Sequence, residues 1–141
     1  MILYLDASAL VKLYVEEAGS PAVAGEVERA NAVVTARISY VEARAAFARL
    51  RREGRLSAVG LRRLVHGLDA DWPSLEVVEI TDGLVRQAGA LAERHDLRAY
   101  DAVQLAAGLE LRRAGAGPAF AAFDQKLNRA ARREGLQLAP S

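Results

Sequence analysis

The predicted architecture depends on the stretch Ile2-Leu-Tyr-Leu-Asp-Ala-Ser-Ala-Leu-Val-Lys-Leu13. Its first four residues, Ile2–Leu5, form a continuous apolar run without polar alternation, which is typical of a strand covered on both faces. Asp6 ends that run, and from Ser8 onward the apolar spacing becomes helical. The stretch therefore predicts a buried strand, a carboxylate at its carboxyl end and a helix. In open α/β folds, ligands bind at that edge of the sheet.

Composition limits the kinds of site that the chain can carry. With 141 residues, of which 52% are hydrophobic and 26% charged, we expect one globular domain over residues 1–141. The absence of cysteine excludes disulfides, zinc–thiolate sites and thiol nucleophiles. The two histidines, His66 and His95, are too far apart for a histidine-rich transition-metal site. Any metal would be a hard cation held by carboxylates.

The charge is balanced overall but unevenly distributed. The formal net charge is +1, yet Arg49–Arg63 contains six arginines and one acid, and Lys126–Arg133 contains four basic residues. Such runs either contact nucleic-acid phosphates or form solvated helix faces, and the sequence leaves both possibilities open. Because Ile2–Leu5 is too short for a signal or transmembrane segment, we expect a cytoplasmic protein with no membrane partner.

Strand and helix patterns alternate along the remaining chain. Further strands are predicted at 32–35, 75–80, 119–123 and, weakly, 137–138. Helices are predicted at 8–15, 20–29, 38–52, 57–68, 82–95, 100–114 and 124–133. This alternation predicts an α/β fold, a parallel sheet of four to five strands flanked by helices on both faces.

Four acidic residues fall near strand–helix junctions, and each has an ordinary explanation. Asp6 and Asp124 follow predicted strands, where an aspartate commonly caps the next helix. Glu42 follows Ser39 by three residues, which matches a capping box. Asp101 lies in the first turn of a helix, where negative charge is favourable. None of these explanations accounts for all four residues together.

The shared position of the four acids favours a metal site. The carboxyl ends of parallel strands meet at one edge of a sheet, so we expect these carboxylates to converge there. Carboxylates within a few ångströms repel one another and raise each other's pKa. A fold tolerates such a cluster when a cation lies within it, and Mg²⁺ or Mn²⁺ suits an all-oxygen site.

Four segments resemble the PIN-domain family of metal-dependent ribonucleases, and more narrowly the VapC-like toxin of a type II toxin–antitoxin (VapBC) pair. They are residues 5–13, 39–42, 97–106 and 120–127, in the order and at the spacing typical of the family. Ala122, Tyr100 and Gln104 depart from the residues common there, which are Thr or Ser, Pro or Ala, and His. None of these departures removes a carboxylate.

The resemblance implies a PIN-like fold and a Mg²⁺-dependent endoribonuclease, with Mn²⁺ as a substitute. It implies that Asp6, Asp101 and Asp124 bind the metal, that Glu42 is a further ligand or orients water, and that Ser8 is a polar neighbour. It also implies an RNA substrate, a cognate antitoxin and a homodimer. Three basic residues are expected near the mouth of the site, either holding phosphates or forming plain surface: Arg98, Lys126 and Arg129.

Two other functions remain open. An α/β phosphotransfer domain could use Asp6 covalently, but phosphatases of the haloacid-dehalogenase type need a second Asp where this chain has Ser8. A non-catalytic PIN-like RNA-binding or assembly module has no need of four acids. Metal-dependent RNA cleavage distinguishes a nuclease from both.

Overall fold

Five parallel strands form the centre of the computed structural model, which describes residues 1–140. The strands are β1 (Ile2–Leu5), β2 (Ala32–Ala36), β3 (Glu76–Val78), β4 (Ala119–Ala121) and β5 (Gln137–Leu138). Their order in the sheet is β3-β2-β1-β4-β5, and every neighbouring pair is parallel. The predicted α/β class and parallel sheet are confirmed.

Helices connect the strands through the whole described chain. They are α1 (Ala7–Val11), α2 (Ser20–Arg29), α3 (Ser39–Arg52), α4 (Ala58–Asp71), α5 (Asp82–His95), α6 (Ala99–Arg113) and α7 (Gln125–Arg133). A short 3-10 helix, Trp72–Ser74, follows α4. In the described residues, no helix is both long and apolar enough to cross a membrane.

The central strand explains the apolar run at the start of the sequence. Leu3, Tyr4 and Leu5 are fully buried. Leu3 and Leu5 pack in a core with residues of α1 to α4, such as Phe47 of α3. Tyr4 points to the opposite core, formed with α5, α6 and α7, where its ring stacks on Phe120 at 5.3 Å between centroids. Helices therefore cover both faces of β1, as its uninterrupted hydrophobicity requires.

The hydrogen-bonded pairing of β1 with β4 continues up to the carboxyl edge of the sheet. The Asp6 N–H donates to the Ala121 carbonyl at 3.0 Å, which extends the pairing of β1 with β4 by one residue. The β4 strand is shorter than predicted, so Asp124 lies three residues beyond its end. Asp6 directly follows its strand, whereas Asp124 is carried by a short connecting segment.

Candidate active site

Asp6 is a buried carboxylate that caps α1 with only one of its oxygens. Its Oδ1 accepts hydrogen bonds from the Ala9 N–H at 2.9 Å and from the Ser8 hydroxyl at 2.7 Å. Burial raises the pKa of Asp6 to about 7, against the lowering effect of these two bonds, and the charges of Asp101 and Glu42 add to the rise. The capping explanation is confirmed, but it does not account for a carboxylate with so high a pKa.

Ser8, in α1, connects Asp6 to the segment that follows β4. Its hydroxyl donates to Asp6 and its oxygen accepts from the Phe123 N–H at 3.3 Å, in the segment that follows β4. The predicted place of Ser8 beside Asp6 is therefore observed.

Glu42 lies in the first turn of α3, and the capping box considered as an ordinary explanation for it is not observed. The residue before the helix, Ile38, already has helical backbone angles, and no side chain caps the helix. The Ser39 hydroxyl instead points into the core, where it lies 2.7 Å from the Thr35 hydroxyl and accepts a bond from Gln104 at 3.0 Å. The Ser39 hydroxyl therefore bonds to Thr35 and Gln104 instead of to the backbone N–H that it would bind in a capping box.

The Glu42 carboxylate is half-buried and fixed at one oxygen. Its Oε1 accepts a hydrogen bond from Gln104 Nε2 at 2.9 Å. Burial raises the pKa of Glu42, the charge of Asp101 adds to that rise, and the bond from Gln104 opposes it. Within residues 1–140, Glu42 Oε2 has no hydrogen bond or ion pair, and the same is true of Asp6 Oδ2.

Asp101 and Asp124 face one exposed arginine. Arg98 Nε lies 3.6 Å from Asp101 Oδ2, and its Nη2 lies 4.0 Å from Asp124 Oδ2. Burial raises the pKa of Asp101 and the charge of Asp124 raises it further, while Arg98 lowers it. Asp124 also caps α7, since its Oδ1 accepts from the Leu127 N–H at 2.9 Å. The capping explanation is thus confirmed for Asp124 as well.

The four predicted acids lie near enough for their charges to act on one another. The charge of Asp101 raises the pKa of both Asp6 and Glu42, and the charge of Asp124 raises that of Asp101. As placed, however, no group of three or more His, Asp or Glu side chains in residues 1–140 could hold a metal ion. Several carboxylate oxygens face other partners instead: Ala9, Ser8, Gln104, Arg98 and Leu127. The metal-binding roles therefore remain predictions.

The predicted RNA-contacting residues differ in their surroundings. Arg98 is beside two of the acids. Lys126 is paired with the exposed Asp96 at 2.9 Å, and Arg129 is exposed and makes no ion pair within residues 1–140. Only Arg98 is therefore tied directly to the acidic group.

A groove leads from Glu42 along α3. It has a volume of about 500 Å³ and is lined by Ser8 and Glu42 at one end and by Arg49 and Arg55 toward the other. A larger groove of about 780 Å³ lies between α3 and α4, but none of the four acids lines it. Of these two grooves, the one along α3 is lined by one of the four acids, Glu42, together with basic side chains.

Two buried residues near the acids were not identified as site residues from the sequence. Gln104 is 1% exposed and contacts Glu42, and Tyr4 donates its hydroxyl to Gln104 Oε1 at 2.5 Å. The available signal was a polar residue on the apolar face of α6, three positions after Asp101. A polar side chain in such a position needs buried partners.

Comparisons with known proteins identify the family of this chain. Two curated relatives from Mycobacterium tuberculosis, ribonuclease VapC45 of strain CDC 1551 / Oshkosh and ribonuclease VapC49 of strain H37Rv, are each 34% identical over 140 residues. Each alignment covers 99% of this chain and 96% of the relative.

Solved structures show the same fold at low identity. VapC20 of Mycobacterium tuberculosis, described as a toxin that cleaves the sarcin–ricin loop, has a TM-score of 0.69 at 20% identity, over 99% of this chain and 100% of VapC20. The FitAcB structure from Neisseria gonorrhoeae has a TM-score of 0.70 at 17% identity, over 99% of this chain and 97% of the other. The PIN-domain sequence profile matches residues 3–133. The chain therefore belongs to the PIN-domain family, within which it is similar to the VapC ribonucleases.

Proposed function

We propose that this protein is a Mg²⁺-dependent endoribonuclease that acts as the toxin of a toxin–antitoxin pair. The observation that carries the proposal is a group of four carboxylates at the carboxyl edge of one sheet, of which Asp6, Glu42 and Asp101 have raised pKa values. The full-length similarity to VapC ribonucleases supports the choice of RNA hydrolysis over other metal-dependent reactions.

The donor set suits a hard cation. All four side chains offer carboxylate oxygens, the ligands that Mg²⁺ and Mn²⁺ prefer. Asp6, Asp101 and Asp124 would hold the metal, and Glu42 would be a further ligand or would orient the attacking water. When bound, Mg²⁺ lowers the pKa of an attacking water and stabilises the negative charge of the leaving oxygen.

Neighbouring polar groups hold one oxygen of Asp6 and one of Glu42 by hydrogen bonds. Ser8 and Ala9 hold Asp6 Oδ1, which leaves Oδ2 free for a cation. Gln104 holds Glu42 Oε1 in the same manner and leaves Oε2 free to bind or to accept a proton from water. The Arg98 guanidinium lies where it would contact a phosphate oxygen of bound RNA.

The test of the proposal is cleavage of a structured RNA pool by the purified protein with Mg²⁺, with Mn²⁺ and with EDTA, beside Asp101→Asn. We expect cleavage with either metal and none with EDTA or in the variant. Cleavage in EDTA would contradict the metal-dependent mechanism. RNA binding without cleavage under any condition would favour the non-catalytic module.

The proposed partners are RNA, a cognate antitoxin and a second copy of the chain. The similarity to VapC20, which is described as a toxin, and to a toxin–antitoxin complex from Klebsiella pneumoniae (TM-score 0.62, 14% identity, 88% of each chain covered) supports an antitoxin partner. An antitoxin arginine placed against the acids would neutralise them and block substrate. In this chain Arg98 already contacts two of the acids, so an inhibitory arginine would compete with it for Asp101 and Asp124.

Replacing Arg98 should weaken RNA binding without removing the metal site. Because its side chain is 81% exposed beside Asp101 and Asp124, Arg98→Gln should raise the Kd for RNA by about 3- to 10-fold at 0.1 M salt. It should also reduce the salt dependence by about 0.7 in the slope of log K against log salt. Fluorescence anisotropy of labelled RNA in EDTA measures both quantities.

The matched control for this prediction is Arg86→Gln. Arg86 is likewise an exposed arginine in an ion pair, with Asp82, but it lies on α5 and does not contact the four acids. An equal loss of RNA affinity in the two variants would show that Arg98 contributes only general positive charge.

A further inference from the structure

A buried polar network lies directly beneath the acids, and Gln104 is at its centre. The Gln104 side chain is 1% exposed, and its Oε1 accepts the Tyr4 hydroxyl at 2.5 Å. Its Nε2 donates to Ser39 Oγ at 3.0 Å and to Glu42 Oε1 at 2.9 Å. Both N–H donors and the carbonyl of this amide are therefore in use.

The network is anchored in the two central strands. Ser39 Oγ lies 2.7 Å from Thr35 Oγ1, and the Thr35 hydroxyl also donates to the Leu5 carbonyl at 2.7 Å. Tyr4 belongs to β1, and its ring is stacked on Phe120 of β4 with an interplanar angle of 2°. This hydrogen-bonded network thus connects β1 and β2, through Gln104, to the Glu42 carboxylate.

The chemistry of Glu42 determines the orientation of the amide. If the oxygen and nitrogen of Gln104 exchanged places, its carbonyl oxygen would face Glu42 Oε1, and two acceptors would repel each other. With the observed orientation, every buried atom of the amide has a partner of the correct type. Among buried side-chain oxygen and nitrogen atoms in residues 1–140, only Asn128 Oδ1 lacks one.

We propose that Gln104, held by Tyr4, is a positioning residue that fixes Glu42 as a metal ligand. Its amide binds Oε1, so that Oε2 is left available for a cation that the other three acids would share. This inference rests on the proposed function, because it requires that the acids bind a divalent cation. It assigns a task to two residues that contact neither the metal nor RNA in the proposed site.

A purely structural role makes a different prediction. If Gln104 only satisfied the hydrogen bonds of its neighbours, its loss would act on the site by lowering the stability of the fold. The effect on Mn²⁺ affinity would then be the same whether or not Glu42 is present. A residue that acts through Glu42 loses its effect once Glu42 is removed. Double-mutant analysis separates the two roles.

The experiment is calorimetric titration of Mn²⁺ into the wild type, Gln104→Leu, Glu42→Ala and the double variant. We expect Gln104→Leu to weaken Mn²⁺ binding by about 10- to 100-fold, which is typical for loss of a group that orients a ligand. In the Glu42→Ala background, the same substitution should change the Mn²⁺ Kd by less than about twofold. Equal effects in both backgrounds would overturn the proposal, as would an unchanged affinity in Gln104→Leu or in Glu42→Ala.

Two further variants distinguish a specific effect on Mn²⁺ binding from a general loss of folding. Tyr4→Phe removes one hydroxyl, keeps the ring stacked on Phe120, and should weaken Mn²⁺ binding by about 3- to 10-fold because the amide becomes free to turn. Leu109→Ala destabilises the distal half of α6 and should leave the Mn²⁺ affinity unchanged.

A wild type that binds no Mn²⁺ and cleaves no RNA would refute the proposed function itself, and this inference with it. A wild type that binds Mn²⁺ beside an unaffected Gln104→Leu would refute only the inference.

Discussion

Asp101→Asn is expected to reduce metal-dependent RNA cleavage by about a thousandfold or more while leaving the fold intact. The substitution keeps the shape of the side chain but removes the negative charge through which it would hold the cation. Loss of several kcal/mol of charge stabilisation in the transition state corresponds to a rate loss of about this size. In the absence of metal, the variant also lacks the negative charge that, in addition to burial, raises the pKa of Asp6 and of Glu42.

Folding should tolerate this substitution because Asp101 does not cap its helix. Arg98 is the residue before α6, and no side chain caps that helix end. The favourable effect of a negative charge in the first turn is under about 1 kcal/mol. Circular dichroism and thermal unfolding should therefore give nearly wild-type results for Asp101→Asn.

A matched control is Asp82→Asn, which also removes an acid from the first turn of a helix. Asp82 is an exposed residue of α5 paired with Arg86, and it contacts none of the four acids. Cleavage by Asp82→Asn should equal that of the wild type. Full activity in Asp101→Asn, or equal losses in the two variants, would disprove the assignment of Asp101.

Asp6→Asn is expected to stabilise the metal-free protein at neutral and alkaline pH. Burial raises the pKa of Asp6 from 3.8 to about 7 in the folded state, whereas the unfolded chain has an ordinary value. Between these two values the folded protein binds more protons than the unfolded chain, so stability falls as the pH rises from about 4 to about 7. Asparagine does not ionise, and it caps α1 as well as aspartate does. The advantage of the variant should reach at most about 4 kcal/mol above pH 7.

Urea unfolding in EDTA between pH 4 and pH 8 measures this effect. The free energies of unfolding of the wild type and Asp6→Asn should be similar near pH 4 and should separate progressively up to pH 8. Adding Mn²⁺ at pH 8 should narrow the difference, because a ligand that binds the native wild type stabilises it. A difference that is independent of pH, or a less stable variant at pH 8, would contradict the origin of the raised pKa.

The sequence predicts the central strands well because burial leaves a clear pattern. The strand predicted at Ile2–Leu5 has the same bounds as the observed β1, because a strand covered on both faces needs an apolar residue at every position. The helix predicted to continue to Val15 ends at Val11, where the next turns tighten to bonds between residues three apart, such as Leu13 N–H to the Leu10 carbonyl. All four residues from Lys12 to Val15 are only partly buried, so the sequence there carries no burial pattern that would mark the end of the helix.

The α4 boundary was less predictable for a tertiary reason. The helix extends to Asp71, three residues beyond its predicted end at Leu68. Trp72 follows it and packs edge-on against Tyr40 of α3 at 5.3 Å between ring centroids, while Asp69 accepts a hydrogen bond from the Tyr40 hydroxyl at 2.6 Å. These contacts with α3 hold the last turn in place, and local sequence carries no information about them.

The same distinction applies to the candidate site. Strand–helix alternation predicts the placement of Asp6, Glu42 and Asp124 after neighbouring strands at one edge of the sheet. It does not place Asp101, because α6 follows the helix α5 rather than a strand. The capping-box alternative for Ser39 is not observed because its hydroxyl bonds to Thr35, four residues earlier, and to Gln104, which is 65 residues away in the chain. Sequence patterns predict which residues reach the edge, but the hydrogen bonds that orient them depend on the folded structure.

The most direct test of the central claim is diffraction from crystals grown with Mn²⁺ near pH 8, above the raised pKa of Asp6 of about 7. We predict an anomalous Mn²⁺ peak among the four acids, about 2 Å from oxygens of Asp6, Asp101 and Asp124. Soaking with EDTA should remove it. Crystals that show no anomalous peak among these carboxylates, or show Mn²⁺ only elsewhere on the molecule, would contradict the assignment of this edge as a metal-dependent active site.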